Sequence, residues 1–327
     1  METPSTFSAP RVELQQLEET VNKIKTEVQK VVIGQDTMID LILTSILTGG
    51  HILLEGVPGI AKTLTAKLIA RSLSVGFSRV QFTPDLMPTD LTGTNVYNLK
   101  TSEFSFNRGP IFSNLVLIDE INRAPAKTQA ALFEVMEEKQ ITVDGKTYKM
   151  EFPFIVLATQ NPVEQEGTYR LPEAQLDRFL FRIKINYPTL ENEKDILKRF
   201  KEDFNMETAA QVQAVVGRDE LQRCQDIIKS IYIKDELLDY IAQIVHQTRN
   251  SGDLFLGASP RASLAIMKAS KAYAGINGRD FVTPDDIQTV AYPVLNHRII
   301  LTPEREMENM RAEDVIKQII NGIEVPR

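Results

Sequence analysis

Leu53-Leu54-Glu55-Gly56-Val57-Pro58-Gly59-Ile60-Ala61-Lys62-Thr63 is the stretch on which the fold turns. Residues 51–54 are an apolar run that reads as a buried strand, and Leu64, Leu68 and Ile69 resume at helical spacing. Between them the chain follows G-x-x-x-x-G-K-[ST], the order of a phosphate-binding loop, with Ala61 where the last glycine is expected. A polyphosphate is held by successive backbone N–H groups at a helix N-terminus, which turn positive partial charge on the anion. On this reading Gly56, Pro58, Gly59, Ile60, Ala61, Lys62, Thr63 and Leu64 surround the phosphates. Lys62 reaches the β and γ oxygens, and the Thr63 hydroxyl takes one Mg²⁺ position. Ala61 costs the loop some of glycine's backbone freedom. On this stretch alone, a strand turning into a helix with a chance Lys-Thr is the alternative.

A second landmark follows about sixty residues later. Leu115-Val116-Leu117-Ile118-Asp119-Glu120 is wholly apolar until it ends in two carboxylates, as a central strand of a parallel sheet would. Ligands of open α/β sheets bind at that carboxyl edge. Asp119 would hold Mg²⁺ and Glu120 would polarise an attacking water. Residues 154–159 form another apolar strand ending at Gln160-Asn161-Pro162, where Asn161 would orient water or simply make a turn. Residues 171–179 predict a short helix that delivers Arg178 just before a strand over 181–185. Arg178 is there either a salt-bridge partner of Asp177 or an arginine finger.

The flanking segments are predicted by pattern. Leu14, Leu17, Val21, Ile24 and Val28 form one stripe of a helix that packs on the protein's own body. The connector Val31-Val32-Ile33-Gly34-Gln35 leads to a helix over 38–47, and Val32 and Ile33 form either a plain connector or a wall for a nucleotide base. Residues 84–110 suggest an elaborated loop or hairpin, and Asp144-Gly145 marks a second hairpin. Beyond Tyr187-Pro188 strand patterns stop and amphipathic helices take over. Ser259-Pro260-Arg261 opens one of them, and an arginine in a first turn is ill-placed against the helix dipole unless an anion is near.

Bulk properties narrow the function classes. The 327 residues carry a net charge of −7, which weighs against nonspecific nucleic-acid or anionic-membrane binding. Cys224 is the single cysteine and reads as packing, and the three scattered histidines have no zinc-ligand spacing. Residues 38–47 are apolar but too short to span a bilayer, and no secretory signal stands at the N-terminus, so a cytoplasmic location is expected.

Taken together, these residues resemble an AAA+ ATPase of the MoxR subfamily. The resemblance rests on residues 56–63 with alanine before the lysine, 81–93, Ile118-Asp119-Glu120-Ile121-Asn122-Arg123-Ala124, Ala158-Thr159-Gln160-Asn161-Pro162 and 171–179. It covers roughly residues 30–300. It implies an α/β P-loop NTPase core, a parallel sheet flanked by helices, and an all-α C-terminal lid. The expected organisation is a loose tail over 1–10, a core with its N-terminal helix over 11–190 and a lid over 191–327. The resemblance makes Asn161 the sensor-1 residue, Arg178 the finger acting on a neighbour's nucleotide, with Arg170 and Arg123 as rivals, and Arg261 the sensor-2 arginine on γ-phosphate. It implies ATP or ADP with Mg²⁺, a homo-oligomeric, six-membered ring, a separate von Willebrand factor A domain partner and a client protein. The expected function is chaperone-like remodelling or maturation of protein complexes. Its rivals are a nucleic-acid motor or transcription activator on the same core, and a nucleotide-gated binding module with little turnover.

Overall fold

The computed structural model describes residues 11–57, 59–100, 102–161, 168–169, 171–201 and 212–326. Its strands, in chain order, are β1 His51–Glu55, β2 Phe77–Gln81, β3 Gly93–Asn98, β4 Glu103–Arg108, β5 Leu115–Asp119, β6 Gln140–Val143, β7 Lys146–Lys149, β8 Ile155–Gln160 and β9 Phe179–Lys184. Two short strands follow, β10 Leu254–Leu256 and β11 Ile300–Leu301. The helices around the sheet are α1 Arg11–Gln29, α2 Asp36–Thr48, α3 Lys62–Ser72, α4 Pro88–Thr92, α5 Ala126–Glu138 and α6 Glu173–Leu176. After them come α7 Leu190–Arg199, α8 Arg218–Ser230, α9 Asp235–Asn250, α10 Pro260–Ile276, α11 Pro284–Leu295, α12 Pro303–Met307 and α13 Ala312–Asn321.

Five strands form one parallel sheet in the order β2-β5-β8-β1-β9. The apolar run of β5 explains its central place. Leu115 and Leu117 join the apolar cluster on one face, while Val116 and Ile118 join the cluster on the other, the period-two alternation of a strand covered on both sides. Each such fully buried side chain is worth about 1.5–3 kcal/mol. β8 lies between β1 and β5, so all three chains leave the sheet side by side at its carboxyl edge.

The apolar stripe of α1 is buried at Leu17, Val21, Ile24 and Val28 and packs against α3, α8 and α10. α2 packs on α10, α8 and β9, so the N-terminal helices join the sheet and the later helices in one continuous core. Two antiparallel hairpins stand outside the sheet, β3 with β4 and β6 with β7. The second turns at Asp144 (φ 49°) and Gly145 (φ 77°), the left-handed pair that a two-residue hairpin requires. The hairpins lean on each other: Phe106 stacks on Tyr148 with ring centroids 4.4 Å apart, and Asn95 hydrogen-bonds Asp144. Cys224 is buried, and burial pushes its thiol up to about 11, in keeping with a packing role. Among the described residues no helix is long and apolar enough to cross a membrane.

Candidate active site

β1 delivers the chain at its carboxyl end into the loop, and α3 begins at Lys62. Gly56 is required by close approach: a Cβ there would stand 2.5 Å from Ile60 Cδ1 and 3.0 Å from the Ile185 carbonyl oxygen. Gly59 has φ 85° and Ala61 φ 62°. The left-handed conformation costs Ala61 roughly 1–2 kcal/mol that glycine would avoid, a strain that persists because the loop and helix on either side hold it. Lys62 Nζ donates to the Gly56 carbonyl oxygen at 2.5 Å. Burial lowers the Lys62 pKa, and the opposing pull comes from Asp119, Glu120 and Glu55, so three carboxylates face this ammonium group. Thr63 and Leu64 occupy the first turn of α3 and are half-buried. The first N–H groups of a helix have no acceptor inside it, which leaves them for an anion. Pro58 lies outside the described residues.

Asp119 ends β5, buried, with both oxygens engaged. Arg79 Nε from β2 donates to Oδ2 at 2.6 Å, and Thr159 Oγ1 from β8 donates to Oδ1 at 3.1 Å. The same Thr159 hydroxyl accepts the Glu120 N–H at 3.0 Å, and Glu120 sits at φ 56°. One hydroxyl therefore fixes the aspartate side chain and the strained backbone that aims the glutamate. Glu120 Oε2 is 2.8 Å from Arg123 Nε. Asn161 follows β8 directly, between the loop strand and the acidic strand. Lys62 donates to an oxygen and Asp119 accepts from a cation, the charge types that a Mg²⁺-triphosphate presents at those two places; the donor set fits that group.

Val32 and Ile33 line a cavity of about 910 Å³ with Tyr187 from the chain after β9 and Tyr292 and Pro293 from α11. Ile185, another wall residue, donates its N–H to Glu55 O at 2.8 Å and packs on Gly56, so the cavity adjoins the loop. A flat apolar base has room between the N-terminal connector and the helical part.

Arg178 and Arg261 lie elsewhere. Arg178 immediately precedes β9, at the amino edge of the sheet, where Phe179 pairs with His51. Its Nη2 is 2.8 Å from Glu137 Oε2 near the end of α5. Arg261 approaches the same group, with Nη2 3.6 Å from Glu137 Oε1 and Nη1 3.8 Å from Asp177 Oδ2. Both arginines line a second cavity with Gly50 and His51. At ~3.3 Å of rise per residue, β1 alone separates this cavity from the loop by roughly 13 Å. Arg261 thus stands beside Arg178 and away from the Lys62 of its own chain. Arg123, paired with Glu120, belongs to the carboxyl edge; Arg170 lies outside the described residues.

Sequence reasoning missed Arg79, Thr159 and Glu137 as partners of these groups, and it set Asp177 against Arg178, whereas Asp177 pairs with Arg298 and Arg261 and Arg178 pairs with Glu137. Thr159 was legible in principle, because i and i+2 of a strand share a face and it precedes Asn161 by two. Arg79 had no such signal, since only the pairing of β2 with β5 brings it to Asp119.

Residues 51–181 match the family model described as the ATPase family associated with various cellular activities (AAA), and residues 246–319 match an AAA lid domain. The chain is 42% identical to the chaperone MoxR1 of Mycobacterium tuberculosis, across 94% of this chain and 83% of that one. It is 44% identical to YeaC, an uncharacterised protein of Bacillus subtilis, across 94% and 95% of the two. The solved structure of a candidate ATPase from Cytophaga hutchinsonii superposes with a TM-score of 0.88 at 43% identity, covering 97% of this chain and 98% of that one. Because the likeness runs through nearly the whole of both chains rather than the phosphate loop alone, the protein belongs to the MoxR family of AAA+ ATPases.

Proposed function

We propose that this chain hydrolyses ATP with Mg²⁺ at sites shared between subunits of a homo-oligomeric, six-membered ring. The observation that carries the reading is the division of charge between the two edges of the sheet. Lys62, Asp119 and Glu120 lie at one edge and Arg178 and Arg261 at the other, so one subunit cannot bring both sets to one nucleotide. A neighbour can.

In this mechanism Lys62 and the N-terminus of α3 would hold the phosphates, Val32 and Ile33 would flank the base, and Thr63 and Asp119 would hold the metal. Mg²⁺, when bound, neutralises charge developing on the phosphoryl oxygens. Glu120 must leave Arg123 to polarise the water, and Thr159 keeps its backbone aimed while it does so. Asn161 orients the water from the strand between. Arg178 and the lid arginine Arg261 reach the γ-phosphate of the adjoining subunit, where guanidinium groups offset transition-state charge. Within the subunit Glu137 and Asp177 already offset the cation in the first turn of α10.

The output is remodelling or maturation of a client, in the manner of a chaperone, with a separate von Willebrand factor A domain partner and a cytoplasmic setting. Support comes from the name of the MoxR1 relative and from the tip of the β3–β4 hairpin, where Val96, Tyr97, Leu99 and Phe104 are exposed. The core and lid divide at residues 190–191. The net charge of −7 weighs against a nucleic-acid motor.

Complementation tests the shared site. Glu120→Gln binds ATP without turnover, and Arg261→Ala, whose own loop is intact, is likewise inactive alone. Mixing them restores hydrolysis, because Glu120→Gln subunits lend their arginines to Arg261→Ala loops. Two folded, ATP-binding variants that stay inactive together would sink the proposal.

A further inference from the structure

The cavity around Arg178 and Arg261 holds more positive charge than two arginines supply. It encloses about 320 Å³, and Lys139, Lys268 and Arg298 line it as well, with Asp177 the one carboxylate among the described residues that line it. Arg298 is already engaged: its Nε donates to Asp177 Oδ1 at 2.6 Å and its Nη2 to the Phe179 carbonyl at 2.6 Å. Glu137, on the rim, serves Arg178 and Arg261. Five cations against these two carboxylates leave a net charge of +3, in a chain whose overall charge is −7. The acidic Glu134 and Glu138 line an adjoining hollow with Arg178.

Neither Lys139 nor Lys268 has an ion-pair partner among the described residues. Lys139 has a local explanation. It caps the C-terminus of α5, where the helix dipole favours a cation. Lys268 has none, since it lies in the middle of α10. Arg261, Leu264, Ala265 and Lys268 are spaced i, i+3, i+4 and i+7, so one face of that helix turns into the cavity. A lone exposed lysine is ordinarily just solvated. Here it converges with four other cations, and charges of one sign gathered in a hollow raise the local potential for an anion. At 1.5 Å of rise per residue Lys268 is roughly 10 Å along the helix from Arg261, which spreads the positive charge along a line, as an extended polyphosphate would require.

We propose that Lys268 is a third cation of the shared site, contacting the phosphates of the nucleotide held by the neighbouring subunit's loop. This rests on the intersubunit reading above. The test uses the full chain with ATP. Lys268→Ala is expected to lower ring turnover roughly tenfold to a hundredfold, the worth of one charged hydrogen bond. Lys268→Arg should keep most of it, and ATP affinity of dilute, unassembled Lys268→Ala should match the parent. Lys268→Glu should be inactive alone and recover turnover when mixed with Glu120→Gln, whose cavities are intact. Parental turnover in Lys268→Ala and Lys268→Glu overturns the assignment. So does recovery of the Arg261→Ala and Glu120→Gln mixture without recovery of the Lys268→Glu mixture, which leaves the shared site standing. If neither mixture recovers, the intersubunit reading fails and this assignment with it.

Discussion

The two edges of the sheet handle charge in opposite ways. At the carboxyl edge Lys62 faces Asp119, Glu120 and Glu55, while Arg79 pairs with Asp119 and Arg182 with Glu55, so each charge has an opposite nearby. At the amino edge five cations share two carboxylates. The first edge is balanced within one subunit, because β1, β5 and β8 all empty into it from adjacent positions in one parallel sheet. The second is half of something. Its surplus charge calls for an anion that this subunit's own loop, roughly 13 Å away along β1, does not present.

The largest effect that could break this contrast is at Arg178. Arg178→Ala should lower turnover by about 10³-fold or more, the usual worth of an arginine finger, while equilibrium ATP titration of the dilute protein stays at the parental affinity. A loss of affinity with turnover preserved would place Arg178 on the wrong edge.

Acid should tell the edges apart next. His51 and His297 are the buried histidines, and both pack at the amino edge. His51 Nε2–H donates to the Met136 carbonyl at 3.1 Å while Nδ1 accepts the Val156 N–H at 3.0 Å; His297 Nε2 is 3.0 Å from the Phe179 carbonyl. Burial holds His51 at about 4, against an ordinary 6.5, and lowers His297 also. Above pH 6.5 the imidazole is neutral folded or unfolded, and nothing is lost. Between 6.5 and 4 the unfolded chain binds a proton that the fold refuses, so stability falls with falling pH. The shift of His51 alone corresponds to roughly 3 kcal/mol. Urea melts at pH 7 and pH 5 should show the decline, and His51→Gln should flatten it; equal midpoints would remove the amino edge as the acid-sensitive one.

The smallest effect concerns what joins the edges. The β3–β4 hairpin departs from the carboxyl end of β2, whereas β6–β7 leads into the amino end of β8, and the Phe106–Tyr148 stack ties them. A double-mutant cycle with Phe106→Ala and Tyr148→Ala should give a coupling of about 1 kcal/mol in stability. Additive losses would mean that the hairpins are independent.

Much of the carboxyl edge was legible because its parts are contiguous in the chain. The loop over 56–63, the apolar run into Asp119-Glu120, and the strand ending at Asn161 each carry their own local signal. The Asp144-Gly145 turn and the Pro260 helix start were readable for the same reason, since turns and caps are local chemistry. Arg261 was singled out by its misfit with the helix dipole, but that misfit says only that an anion is near, not whose.

The sequence by itself determined the parallel α/β core, the phosphate loop and the acid pair, because strand periodicity and loop chemistry are written over neighbouring residues. Only the tertiary structure decided that β8 inserts between β1 and β5, that Thr159 ties Asp119 to Glu120, and that Arg178, Arg261 and Lys268 gather at the far edge. Those groups are separated by tens of residues and brought together by packing. Their charges acquire meaning only from the burial and the distances that packing sets.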